Sequence, residues 1–115
     1  MYQCDLQLAF SIFHERESYS RVFTYVAVSK DVVLGTATLL LDRKYGHDGK
    51  YAALIEDVAV HPSYEGRGIG SELVKSLVNL AKSFNSYKCT LQCSEKNKRF
   101  YEKLGFVEHE MEMRI

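Results

Sequence analysis

Cysteine is scarce, neither sign of charge is in excess, and no long hydrophobic run interrupts the chain. The 115 residues include three cysteines. An odd count with no close pair at metal-ligand spacing argues against a disulfide framework and against a zinc site. Cys89 and Cys93, if they share a strand, face the same way about 13 Å apart, beyond disulfide reach. They read as small buried hydrophobes. His14, His47, His61 and His109 have neither helical i, i+4 spacing nor cysteine partners, so no metal is expected. Fifteen Lys and Arg balance fifteen Asp and Glu. A general nucleic-acid binder is thereby excluded, because that affinity needs a positive excess to displace counterions. No apolar run reaches the roughly 18–20 residues that span a bilayer. The start MYQCDLQLAFSIFHERE has no basic opening and is interrupted by acids, so no signal peptide is expected there. A cytoplasmic protein is the expectation.

What is present is a globular composition, 46% apolar and 12% aromatic, with room for a single domain over residues 1–115. Residues 3–15 suit a short amphipathic helix, and the polar stretch Glu15–Ser20 a connection. Arg21–Ser29 and Val32–Leu41 are β-branched and aromatic runs around Lys30-Asp31, which predicts an antiparallel hairpin of open turn type. Asp42–Lys50 is a loop by composition. Tyr51–His61 is a long strand that Pro62 ends for want of an amide donor. Ile69, Leu73, Val74, Leu77, Val78, Leu80, Ala81 and Phe84 form a helical stripe, stopped by Asn85-Ser86. Tyr87–Cys93 alternates as a strand should, and the helix before it predicts parallel pairing with the preceding strand. Ser94 suits the N-cap of a helix over Glu95–Leu104, Gly105 its C′ position, and Phe106–Arg114 a last strand. The order predicts one mixed α/β (α+β) domain without repeat or linker.

Two tracts carry chemistry. Glu65-Gly66-Arg67-Gly68-Ile69-Gly70 lies between a buried strand and a helix. Glycines at alternate positions let the backbone turn its N–H groups inward, and the helix start adds positive potential, which suits a phosphate or pyrophosphate. There is no Gly-Lys-Ser/Thr ending and no GxGxxG spacing, so neither a nucleoside-triphosphate loop nor a dinucleotide fold is indicated. The second tract runs from Asn97 to Phe106, where Asn97 and Tyr101 share a helix face at i, i+4.

The string IEDVAVHPSYEGRGIG, with the NKRFYEKLGF segment, resembles the GNAT-type N-acetyltransferases. Together with the Arg43-Lys44-x-x-His47 loop it is similar to the eukaryotic glucosamine 6-phosphate N-acetyltransferases among them. The resemblance runs from about Arg21 to the C-terminus. It implies a mostly antiparallel sheet with a splayed central parallel pair flanked by helices, shortened at the N-terminus. It implies acetyl-CoA as co-substrate, its pantetheine arm on the backbone of Val58, Ala59 and Val60, and its pyrophosphate on Gly66, Arg67, Gly68, Ile69, Gly70 and Ser71. Asn97 would contact the pantetheine, and Tyr101 would stand beside the thioester sulfur as general acid. Lys44 and His47 would line a sugar-phosphate pocket, with Val58 beside them and with Glu56 and Asp57 meeting hydroxyls and the amine. A homodimer is implied as well, and no nucleic-acid or membrane partner.

Glu65 stands where the family usually has Arg or Gln, and Gln92 where close relatives carry Asp. Arg114 is the basic residue nearest the end of the chain. Two other readings remain open: an enzyme of this fold acting on another amine, and a weakly active acyl-CoA-binding module.

Overall fold

The computed structural model describes residues 6–18 and 21–115. Helix α1 (Leu6–Ser18) leads into β1 (Val22–Ser29) and β2 (Val32–Arg43). A short 3-10 turn, His47–Gly49, precedes β3 (Tyr51–Val60), and a second, Pro62–Tyr64, follows it. Helix α2 (Ile69–Ser83), β4 (Lys88–Leu91) and α3 (Glu95–Glu102) complete the order. The strands form one sheet, β1-β2-β3-β4. The first two pairings are antiparallel, and β3 with β4 is parallel through the α2 crossover. This is the mixed, mostly antiparallel architecture expected from the alternation of strand and helix patterns.

The hairpin between β1 and β2 turns on Lys30 and Asp31, both at positive φ (49° and 66°). That is the type I′ geometry whose twist matches the flanking strands. Along β2 every second residue, Ala37, Leu39 and Leu41, is buried, and β3 adds Ala53 and Ile55. The stripe of α2 meets them with Leu73, Val74, Leu77 and Ala81. Period two therefore packs against period 3.6 in one continuous core. Helix α2 ends as expected at Asn85, whose φ of 56° lets the Asn85 and Ser86 amides reach the Lys82 and Ala81 carbonyls.

Three expectations are corrected. The first helix, expected over residues 3–15, runs on through the polar stretch to Ser18, and residues 3–5 of that expectation lie outside the described residues. Its last turns are tied to the sheet by Glu15, which accepts from the Tyr51 hydroxyl at 3.0 Å and lies 3.5 Å from Arg43. Strand β4 is shorter than Tyr87–Cys93, because its ladder with β3 holds only Lys88 to Leu91. Residues 106–115 form no strand. Alternation supplies a strand's side-chain pattern but not a neighbour for its backbone, and none of the described edges pairs with this segment. Val107, Met111 and Met113 are left 79%, 85% and 85% exposed. Ser94 does stand at the N-cap of α3, but its side chain makes no capping bond.

Candidate functional site

The far end of β3 departs from a regular strand. Thr36 is opposite Ala59 and Thr38 opposite Glu56, so two steps of β2 face three of β3. That is a β-bulge, and it places Asp57 at a φ of 53°. The β3–β4 ladder stops at Ile55 and Leu91. From Glu56 to Val60 the β4-facing side of β3 therefore has no strand partner. Its amides and carbonyls are available to an extended ligand lying in the splay. The Glu56 and Asp57 side chains are exposed there, and Val58 and Val60 are half-buried.

The chain then passes through the Pro62–Tyr64 turn into the glycine tract. Gly66 and Gly68 lie at φ 77° and 82°, and a Cβ built on either would meet no atom within 4 Å. What glycine supplies at these two positions is the backbone conformation, which leaves the concave side of the loop open. Gly68 caps α2, and the first helical bond runs from the Glu72 amide to the Gly68 carbonyl. The amides of Ile69, Gly70 and Ser71 precede that bond and have no acceptor within the helix, an arrangement that suits an anion at the positive end of the helix dipole. Gly70 serves differently. A Cβ there would lie 3.4 Å from Phe100 and 3.5 Å from Val60, so its smallness lets α3 approach α2 and the end of β3. Arg67 lies over the Tyr64 ring at 5.0 Å, and Glu65 is exposed.

Helix α3 brings Tyr101 to the same end. Its ring packs edge-on against Phe100 and Phe106, with centroids 4.9 and 6.0 Å away. Burial pushes the Tyr101 phenol above its ordinary value, and the neighbouring Cys93 adds to the rise. A phenol held protonated is a proton donor. Asn97, one turn earlier, is exposed, as are Gln92 and Cys93 beyond the end of β4. Burial also raises the Cys89 thiol, which disfavours a nucleophilic thiolate. Glu56–Val60, the glycine tract, Asn97 and Tyr101 are thus assembled at one end of the sheet.

Lys44 and His47 are placed elsewhere. They lie in the β2–β3 connection, where β3 begins, and Glu56 is about 17 Å further along that strand from Tyr51. Lys44 Nζ pairs with Asp42 at 2.7 Å, and the His47 ring stacks on Tyr87 at 3.8 Å. Arg43 donates to the Gly49 carbonyl. Within one chain Lys44 and His47 do not face the carboxylates. Sequence reasoning missed the bulge, the Phe100–Gly70 contact and the Arg67–Tyr64 stack. An aspartate just before a β-branched run, a residue type that tolerates positive φ, is the one signal that could have pointed to the bulge. Among the described residues no group of three His, Cys, Asp or Glu could hold a metal, and no helix is long and apolar enough to cross a membrane.

The model of the acetyltransferase (GNAT) family matches residues 2–106. A glucosamine 6-phosphate N-acetyltransferase from Trypanosoma brucei brucei is 43% identical over 83 residues, covering 72% of this chain and 56% of that protein. A glucosamine 6-phosphate N-acetyltransferase from Schizosaccharomyces pombe is 43% identical over 94 residues, covering 78% and 85%. The chain therefore spans little more than half the length of the trypanosome relative. A crystal structure of a Trypanosoma brucei acetyltransferase superposes with a TM-score of 0.81 at 37% identity, over 93% of this chain and 75% of that one. The glucosamine-6-phosphate N-acetyltransferase of Arabidopsis thaliana superposes at 0.80 with 27% identity, over 93% and 74%.

Proposed function

The chain belongs to the GNAT family of acetyltransferases, and from that premise we propose that it moves acetyl from acetyl-CoA to the amine of glucosamine 6-phosphate. The observation that carries the reading is the meeting, at one sheet end, of an unpaired strand edge, an anion cradle and a protonated tyrosine. The names of the relatives at 43% identity supply the acceptor.

Bound acetyl-CoA supplies a thioester whose carbonyl the neutral amine attacks. Val58, Ala59 and Val60 hold the pantetheine arm through their free backbone groups, as an added strand would be held. Gly66, Arg67, Gly68, Ile69, Gly70 and Ser71 hold the pyrophosphate, and Asn97 steadies the arm from α3. A backbone amide of the bulged segment donates to the carbonyl oxygen as charge develops there. Glu56 and Asp57 accept from the sugar hydroxyls and take the proton the amine loses on attack. Tyr101 gives its proton to the departing sulfur, so one N–C bond forms as one C–S bond breaks. Neither Cys89 nor Cys93 is needed as a nucleophile.

The sugar phosphate requires cations, and Lys44 and His47 lie away from Glu56 and Asp57 of their own chain. We place them, or Arg114 of the tail, at the acceptor site of a second copy in a homodimer. The exposed, alternating tail supports such an assembly. The same separation favours the second reading, an enzyme of this family acting on another amine. Calorimetry with acetyl-CoA tests the cofactor. A thiol-release assay then compares glucosamine 6-phosphate with glucosamine and with lysine peptides. Preference for the phosphorylated sugar is expected, and equal rates with unphosphorylated glucosamine would overturn the acceptor assignment.

A further inference from the structure

The residue that opens the glycine-bearing loop uses a ring nitrogen as a hydrogen-bond acceptor. His61 follows β3 directly, and its backbone N–H donates to the Leu34 carbonyl at 2.7 Å. Its Nδ1 accepts the Ser63 N–H at 3.1 Å. His61 is thereby the N-cap of the Pro62–Tyr64 turn, with Pro62 in the first position. Nδ1 can accept only while it carries no proton, so this bond exists only with an unprotonated Nδ1. The Tyr64 amide returns to the His61 carbonyl at 2.8 Å, and its ring meets the imidazole edge-on at 5.6 Å. Arg67, between Gly66 and Gly68, lies over that same Tyr64 ring. A single run of contacts therefore leads from the imidazole to the anion cradle.

We propose that His61 is a positioning residue for the anion-binding loop, and that its protonation loosens the loop and weakens the hold on the cofactor pyrophosphate. The inference rests on the acetyl-CoA reading above. A protonated Nδ1 presents a donor to the Ser63 N–H, itself a donor, so the turn loses its capping bond. Tyr64 and the Arg67 above it then lose their anchor. An opposing effect is the positive charge the imidazolium adds near an anion. Screening shortens its reach to a few ångströms at about 0.3 M salt, whereas the capping bond is insensitive to salt. Other charged groups at this end are Glu65 and Arg67 of the same stretch, Glu72 in the first turn of α2, and Lys30 and Asp31 of the hairpin turn. From β2, the Leu34 carbonyl accepts the His61 backbone N–H.

The test is calorimetry with CoA at about pH 8 and about pH 5.5, a span across which imidazole takes up a proton, for wild type, His61→Asn and His61→Ala. The asparagine oxygen accepts the Ser63 amide at either pH. Titration of the cofactor's own phosphate is common to all three proteins and cancels in the comparison. Wild type should lose about fivefold more affinity on acidification than His61→Asn, the size expected for one capping bond. His61→Ala should bind weakly at both values and track the slope of His61→Asn. Equal slopes for wild type and His61→Asn, or tighter wild-type binding in acid, would overturn the role of His61. Absence of binding by wild type at pH 8 would instead overturn the cofactor reading, and this inference with it.

Discussion

Tyr101 sits with its ring against those of Phe100 and Phe106, while its hydroxyl is the group the proposed chemistry uses. These two duties separate cleanly in Tyr101→Phe, which keeps the ring and removes the proton. If the phenol is the general acid, kcat should fall by roughly 10²–10⁴ while CoA affinity is unchanged. If the ring only packs, the variant works within a few-fold of wild type in a steady-state assay where chemistry is rate-limiting. The raised phenol also fixes the sign of a pH effect. A group whose folded value lies above its ordinary 10.0 favours the folded state below that value and ceases to do so as pH rises through the folded one. Stability lost in alkali should therefore shrink in Tyr101→Phe, as followed by urea denaturation at increasing pH. At this scale the sequence was legible for Tyr101, because i, i+4 spacing from Asn97 put both on one face. It was not legible for Gly70, which reads as one more anion-loop glycine until Phe100 is seen against it.

Among the elements, β3 carries the most consequence for the least sequence signal. Its apolar run announces a strand, but a bulge adds one residue without changing composition, so the register with β2 could not be read in advance. The bulge depends on Asp57 holding a φ of 53°. Aspartate and asparagine accept that conformation far better than a β-branched residue. Asp57→Asn should stay within about 0.5 kcal/mol of wild-type stability, whereas Asp57→Val should lose about 1–3 kcal/mol. Chemical denaturation of the two variants checks this, and equal stability would mean that the strand accommodates either register. Helix α2 was legible over nearly its whole length, because its stripe and the Asn85 stop are both written locally. The end of α1 was not, since Glu15 is polar by composition and becomes a tether only when Tyr51 and Arg43 are brought beside it.

For the whole molecule, residues 106–115 are a segment with no strand neighbour among the described residues. Alternating Val107, His109, Met111, Met113 and Ile115 predict a strand, yet pairing is a property of two segments and the described chain offers this one no partner. Lys44 and His47 pose the same difficulty, because closeness in sequence to a strand does not say at which end of that strand a site will form. A second copy would answer both. Sedimentation velocity should show a dimer for wild type and a monomer for the double variant Met111→Glu, Met113→Glu, which charges one face of the tail. The double variant should also raise KM for the sugar phosphate more than for acetyl-CoA. A wild-type monomer at micromolar concentration would remove the proposal. The turn at Lys30-Asp31 has a consequence of another kind. Two non-glycine residues in left-handed conformations join strands that are neighbours in sequence, whereas β4 can add to β3 only after the whole crossover has been ordered. Closing that long crossover is the slower event, so the hairpin is the natural nucleus on which the rest condenses. Asp31→Gly, which relieves the turn in the I′ position where glycine is preferred, should therefore speed refolding in stopped-flow experiments and leave the unfolding rate nearly unchanged.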